Sequence, residues 1–283
     1  MSSVQTQSVG VLLRDWRKRR HLSQLDLACD ADISARHLSF LETGRAQPSR
    51  EMLLHLAGQL EIPLRERNML LVAAGYAPVF QERSLQDPAL QAARKIIDLV
   101  LAGHEPYPAI AIDRHWTLVA SNRTVPFLIA GVDDSLLQPP LNVLRLSLHP
   151  AGLAPRIANL PEWREHLLTR LRRQIEVSGD SFLAELLAEL SSYPASSEKT
   201  YDGKVIKEYA GVAVPFQFIT DGGVLSFLST TTIFGTPLDI TLSELALESF
   251  FPANAATADA LRQLVKPQQI PSPIEHRPLD NRR

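Results

Sequence analysis

Residues 22–45, LSQLDLACDADISARHLSFLETGR, leave the chain few options. They hold two short runs with apolar stripes, each preceded by a hydroxyl side chain. Ser23 supplies an N-cap for a helix that begins at Gln24 and carries Leu27 and Ala28 inward. The turn Ala31-Asp32-Ile33 reverses the chain, and Ser34 caps a second helix. Ile33, Leu38 and Leu41 form its apolar side, which leaves Ala35, Arg36, His37, Ser39 and Phe40 on or beside the outer face. Thr43-Gly44 ends it, because glycine accepts a left-handed C′ position without a Cβ penalty. Two helices of this length, this close together, make a helix-turn-helix.

The run LSQxxLA, the S-x-x-H-L-S-x-L-E-x-G-R of the second helix and the following Pro48-Ser49 resemble the Xre or Cro/C1-type helix-turn-helix repressors. The resemblance covers about the first quarter of the chain and implies binding to a double-stranded DNA operator. One departure falls at Asp32, where that family usually has glycine; aspartate tolerates positive φ, so the turn should survive at small cost. By the same resemblance, Gln24 matches a residue that contacts phosphate and braces the recognition helix. Ala35, Arg36, His37 and Ser39 match positions lying toward base edges, with Ser34 at the helix start and Arg45 just past its end completing the candidate DNA-binding set. The side-chain chemistry suits this. Arg36 can pair with guanine O6 and N7, His37 can donate to a base acceptor or a phosphate, and Ala35 or Phe40 can touch a thymine methyl. Arg45 suits a phosphate clamp. For each residue alone, plain solvent exposure is the alternative.

The net charge of −2 agrees poorly with DNA binding until it is divided. Residues 1–75 hold 10 Lys and Arg against 8 Asp and Glu, whereas the remainder holds 19 against 23. The positive part is concentrated in Arg14, Arg17, Lys18, Arg19 and Arg20, just ahead of the helix pair. Phosphate attraction depends on such local arrangement rather than on the total. In the first helix, over 9–20, Val9, Leu13 and Trp16 repeat at helical spacing, and Arg14 and Arg17 are expected to point outward. After Pro48, a helix runs from Ser49 to about Leu60 and a fifth over 64–74, with Pro63 in its first turn and Gly75 as its stop.

The whole chain of 283 residues is comfortable for two domains, and apolar content of 45% with 21% charged describes an ordinary globular protein. No run of about eighteen apolar residues suggests a membrane helix, and MSSVQTQSVG lacks the pattern of a signal peptide, so a cytoplasmic protein with no membrane role is expected. Cys29 is the only cysteine; it excludes an intramolecular disulfide and reads as a small buried thiol, with a redox sensor as the alternative. The expected organisation is a five-helix DNA-binding domain over 1–76, a linker over 77–87, an α+β ligand-binding and dimerisation domain over 88–265, and a Pro-rich tail over 266–283.

Within the second domain a helix is expected over 88–103. PAIAIDRHWTLVASN alternates on both sides of Asp113-Arg114-His115, as a hairpin does. Two long strands are expected at about 205–219 and 224–234, joined at Thr220-Asp221-Gly222-Gly223, and a final helix near 241–249. Pro215 should mark an edge or a bulge. An antiparallel sheet of four or five strands with helices around it is the PAS-like plan. The phrases VASN from Val119, NVLRLSLHPAGL, EWREHLLTRLRRQ and ESFFPA from Glu248 resemble the MmyB-like ligand-binding domain of bacterial regulators, over about 88–265.

That resemblance implies a small ligand. Phe127, Leu144, Phe216, Phe218 and Phe227, with Ile110, Ile112 and Leu118, are candidates for a pocket lining, although each is equally a candidate for plain core. Asn122, Arg145 and His149 are polar residues in apolar surroundings and join the candidate ligand-binding set. A buried Arg145 needs an anion: an internal carboxylate (Asp113, Glu185 or Glu208) or the head of a fatty-acid-like ligand whose tail fills the pocket. A lipophilic metabolite is the other form of the ligand, and no further cofactor is expected. No HExxH, GxSxG, Walker loop, GxGxxG or Cys/His ligand spacing is present, which argues against an enzyme. Glu162, Glu165 and His166 share a helix face, and read as a solvated face more readily than as a metal site. One recognition helix covers a half-site, so a homodimer is expected. The alternative for the second domain is a protein-interaction and dimerisation module without a small ligand.

Overall fold

The computed structural model describes residues 7–194, 213–235, 237 and 239–264. Five helices come first: α1 (Val9–Arg19), α2 (Gln24–Asp30), α3 (Ala35–Glu42), α4 (Arg50–Gln59) and α5 (Leu64–Ala73). Four open on a serine whose hydroxyl accepts a hydrogen bond from the third residue of the helix: Ser8, Ser23, Ser34 and Ser49. Pro63, expected inside the first turn of α5, instead occupies its N-cap. Each helix is closed the same way. His21, Asp32, Gly44, Glu61 and Gly75 have positive φ, and the next residue donates back across the last turn, as from Ile33 to the Ala28 carbonyl at 2.9 Å. Leu13, Leu27, Leu38, Leu41, Leu56 and Leu71 meet in the core these helices close.

Beyond the linker, α6 (Gln91–Gly103) leads into β1 (Ala109–Ile112) and β2 (Leu118–Ser121). Three short helices follow, α7 (Val125–Ile129), α8 (Asp134–Leu137) and α9 (Val143–Leu148). Two long ones come next, α10 (Leu160–Ser178) and α11 (Ser181–Ser192). Then come β3 (Phe216–Thr220), β4 (Gly223–Ile233), α12 (Ile240–Ser243), β5 (Ala246–Pro252) and α13 (Ala255–Leu264). The five strands form one antiparallel PAS-like sheet in the order β2-β1-β5-β4-β3. Alternation splits its two faces. Ala109, Ala111 and Leu247 pack toward Ile97 and Leu101 of α6. Ile110, Ile112, Phe216, Phe218 and Phe227 pack toward α9, α10 and α11.

Two expectations need correcting. The segment near 241–249 is helical only over Ile240–Ser243; Ala246–Pro252 is the central strand of the sheet, paired with β1 and β4. Both of its faces are covered, so its apolar residues do not alternate cleanly and the strand period is masked. Cys29, expected to be buried, is exposed, because the inward side of α2 is taken by Leu27 and Ala28. The expected strand at 205–219 lies outside the described residues as far as 212. The strand itself begins only at Phe216, directly after Pro215, which has no N–H to donate to a ladder. Helix α13 packs Thr257, Ala258 and Leu261 inward; nothing in the sequence reading placed it. The tail from Lys266 and the candidate partner Glu208 also lie outside the described residues.

Candidate nucleic-acid interface and apolar cavity

Leu38 and Leu41 are fully buried beneath α3, so the helix is fixed by its inner side and presents Arg36 and His37 to solvent, with Ala35 and Ser39 half-buried beside them. Ser34 is spent on the backbone, accepting from His37 N–H at 3.1 Å. Arg36 and Arg45 both lie against the Phe40 ring, 5.3 and 5.9 Å from its centre. Phe40 is therefore a platform holding two guanidinium groups rather than a free apolar contact.

Beneath this face sits a buried ion pair that the sequence reading misassigned. Arg17 is 8% exposed, not outward-facing, and grips Glu42 with two hydrogen bonds of 2.6 and 2.8 Å. The reason is helical spacing: position 17 lies one turn beyond Leu13 and next to Trp16, on the inward side. The hydrogen bonds from Arg17 to Glu42 hold its guanidinium above its ordinary basicity. Gln24 donates to the same carboxylate at 2.8 Å, so α1, α2 and the end of α3 meet at Glu42. Arg20 is likewise occupied, donating to the Leu60 and Glu61 carbonyls at the end of α4. Of the basic run, Arg14, Lys18 and Arg19 remain exposed. α1 also approaches α3 so closely that a Cβ on Gly10 would sit 2.5 Å from the Leu41 carbonyl oxygen.

In the second domain, the sheet face turned toward α10 borders a partly open cavity of about 100 Å³. Leu144, Phe216, Phe218 and Phe227 line it, as do Ile110 and Leu118. Leu128 and Phe218 separate it from an outer groove of about 960 Å³, where Phe127, Arg156 and Asp221 lie. The remaining sequence candidates are elsewhere. Phe127 is half exposed in that groove. Asn122 is buried but fully used, its amide donating to the Leu101 and Tyr107 carbonyls and its oxygen accepting from Ala109 N–H.

Arg145 pairs with neither Asp113 nor Glu185 but with Glu189, through bonds of 2.8 and 2.6 Å. Glu189 lies one helical turn past Glu185 on α11, beside α9, whereas Asp113 is held in the hairpin turn by the N–H groups of His115 and Thr117. His149 stacks edge-on against Tyr193, 5.0 Å away. Neither Arg145 nor His149 reaches the cavity. His166 does not join Glu162 and Glu165 but stacks on Trp163, and burial lowers its basicity.

Residues the sequence reading did not select supply the rest of the wall, above all Trp116, Trp163 and Glu248. Trp116 has φ 65°, an unusual conformation for a bulky residue and a marker of a constrained position. Its indole N–H donates to Gln174 at 2.8 Å, and the Gln174 amide returns to the Arg114 carbonyl at 2.7 Å. Two residues before Trp116, Arg114 faces Asp180 and Glu244 at 3.4 and 3.7 Å. Glu244 in turn accepts from Arg65 of α5 at 2.8 and 2.9 Å, and Arg65 also donates to Glu82 in the linker. A second link joins Arg19 to the Ser178 carbonyl at 3.1 Å. The linker is itself tied to α5, with Val79 and Phe80 N–H donating to Asn68.

A helix-turn-helix with an exposed cationic face, joined to an α+β domain with an apolar cavity, defines a DNA-binding transcription regulator with a ligand-binding domain. Residues 13–67 match the helix-turn-helix family, and residues 93–264 match the family described as the MmyB-like transcription regulator ligand binding domain. The chain belongs to the MmyB-like transcription regulators. Neither matched family is one of enzymes. No curated protein matches the chain. Among the described residues no helix is long and apolar enough to cross a membrane.

Proposed function

We propose that this regulator reads an operator through α3 as a homodimer, and that a small lipophilic molecule held in the second-domain cavity changes its DNA affinity. The observation that carries the ligand half is the cavity itself, partly open, apolar and bounded by aromatic rings. Its inner volume suits a short apolar group, and a longer molecule would pass between Leu128 and Phe218 into the outer groove. The fatty-acid-like form of the ligand loses the anchor first expected for it, since Arg145 is committed to Glu189. Arg156, in the outer groove against Phe218, is the cation nearest to that route. The lipophilic-metabolite form needs no such anchor, and it is the form we favour.

Operator reading assigns Arg36 and His37 to base edges, Arg45 and the exposed cations of α1 to phosphates, and Gln24 to bracing α3 through Glu42. Two-fold operators with half-sites about 34–36 Å apart ask for a dimer. Ile96, Leu99 and Val100, exposed on α6, offer apolar surface for a second copy. The protein acts in the cytoplasm and has no catalytic role. Native mass spectrometry before and after denaturing extraction tests the proposal. A dimer that releases a lipophilic molecule is the expected result. A monomer would remove the dimer. An empty protein whose melting temperature ignores apolar compounds would turn the second domain into a protein-interaction module.

A further inference from the structure

The cavity wall is apolar except at Ser147, whose hydroxyl accepts from the Trp163 indole N–H at 3.0 Å, and at one charged position. Glu248, on the central strand β5, is 4% exposed and lines the cavity. One of its oxygens accepts from Arg170 at 2.5 Å and from Thr231 at 3.2 Å. The other takes no hydrogen bond among the described residues. That oxygen is not sealed from solvent, so water can satisfy it when the cavity is empty, and a ligand that displaces the water without supplying a donor loses that hydrogen bond. Arg170 cannot supply a second charge to the cavity. It lies over the Trp116 ring, 4.8 Å from its centre, and its positive charge is answered by Glu248.

Resting on the reading of the cavity as a ligand site, we propose that the ligand carries a hydrogen-bond donor, a hydroxyl or an amine, on its apolar body, and that this donor binds the free oxygen of Glu248. The geometry disfavours a carboxylate at the inner end, because a second anion would meet Glu248 in a site of low dielectric. Glu248 thereby sets specificity, while the aromatic walls supply most of the affinity. A site built around an unpaired polar atom rejects apolar isosteres more strongly than an apolar pocket rejects a missing methylene.

The test uses the full chain and matched probes. 1-Hexanol and dipropyl ether are isomers, and only the alcohol can donate; hexanoate presents an anion and benzene no polar atom. Binding is read by calorimetry and by the fluorescence of Trp116 and Trp163, which line the cavity. The expected result is that hexanol binds about tenfold more tightly than the ether, a modest value for a hydrogen bond to a charged group. That preference should vanish in Arg170→Met/Glu248→Leu, which replaces the ion pair with apolar groups and is expected to fold. Equal binding of hexanol and ether by the wild-type protein would overturn the proposal, as would a preference that survives in the double variant. Hexanoate binding best would overturn it in favour of a carboxylate held by Arg156. If benzene also fails to bind, the cavity itself is not the ligand site, and the underlying reading falls with it.

Discussion

Glu42 shows how much can hang on one side chain. Its carboxylate takes three hydrogen bonds, two from Arg17 and one from Gln24, and it is 3% exposed. Removing one partner of a buried pair leaves the other charge uncompensated, so Glu42→Ala should cost about 3–5 kcal/mol in urea unfolding. Arg14→Ala, at an exposed position of the same helix as Arg17, should stay within about 0.5 kcal/mol. Similar losses for the two variants would mean that Arg17 is not held as described. On the outer side of α3 the expected effect is on binding. Arg36→Ala should lower specific affinity by about 1–3 kcal/mol while leaving random DNA nearly unchanged. Equal weakening on both DNAs, measured by anisotropy at fixed salt, would reduce Arg36 to a phosphate contact.

At the scale of elements, the first domain was largely legible because its stops and starts are written locally. Ser23, Ser34 and Ser49 announce helices, and Gly44 and Gly75 end them; Asp32 fits the left-handed turn as a tolerated substitute. Glu61 holds the same left-handed position without any residue preference to reveal it, and His21 with only a weak one. In the second domain the hairpins were visible through alternation and turn residues. Strand β5 was hidden, since a strand covered on both faces carries no period-two signal. The cavity was half legible: its phenylalanines could be guessed, but Trp116 and Glu248 come together only through the strand order. The partner of Arg145 was missed for the same reason, because α9 and α11 meet in space and not in sequence. That junction gives a pH prediction. Burial, with its hydrogen bond to the Glu189 carboxylate, pushes the Tyr193 hydroxyl up to about 12. A raised folded value stabilises the native state fully below the ordinary tyrosine value of about 10 and loses that contribution as pH rises through the folded one. Spectrophotometric titration should therefore show a late tyrosine step that Tyr193→Phe removes. A Tyr193 that ionises near the ordinary tyrosine value of about 10 would mean that its hydroxyl is neither buried nor held by Glu189.

For the molecule as a whole, the proposed function requires a path from the cavity under the sheet to a recognition helix in another domain. The contacts between them form a short physical chain: Trp116 in the cavity wall, Arg114 two residues away, Glu244, and Arg65 on α5. Partly exposed ion pairs of this kind contribute only about 0–1 kcal/mol each. Allosteric coupling energies are of the same order, about 1–3 kcal/mol, so a network this weak is strong enough to carry the signal. Arg65→Ala should therefore leave the melting temperature almost unchanged, and should leave ligand-free DNA affinity and cavity affinity close to wild type. What it should remove is the dependence of one on the other. Titrating labelled operator with and without a cavity ligand reads this directly, and reciprocity requires DNA to shift ligand affinity by the same factor in the wild-type protein. A variant that retained the full shift would move the coupling to another contact, and the Arg19–Ser178 link would be the next to cut.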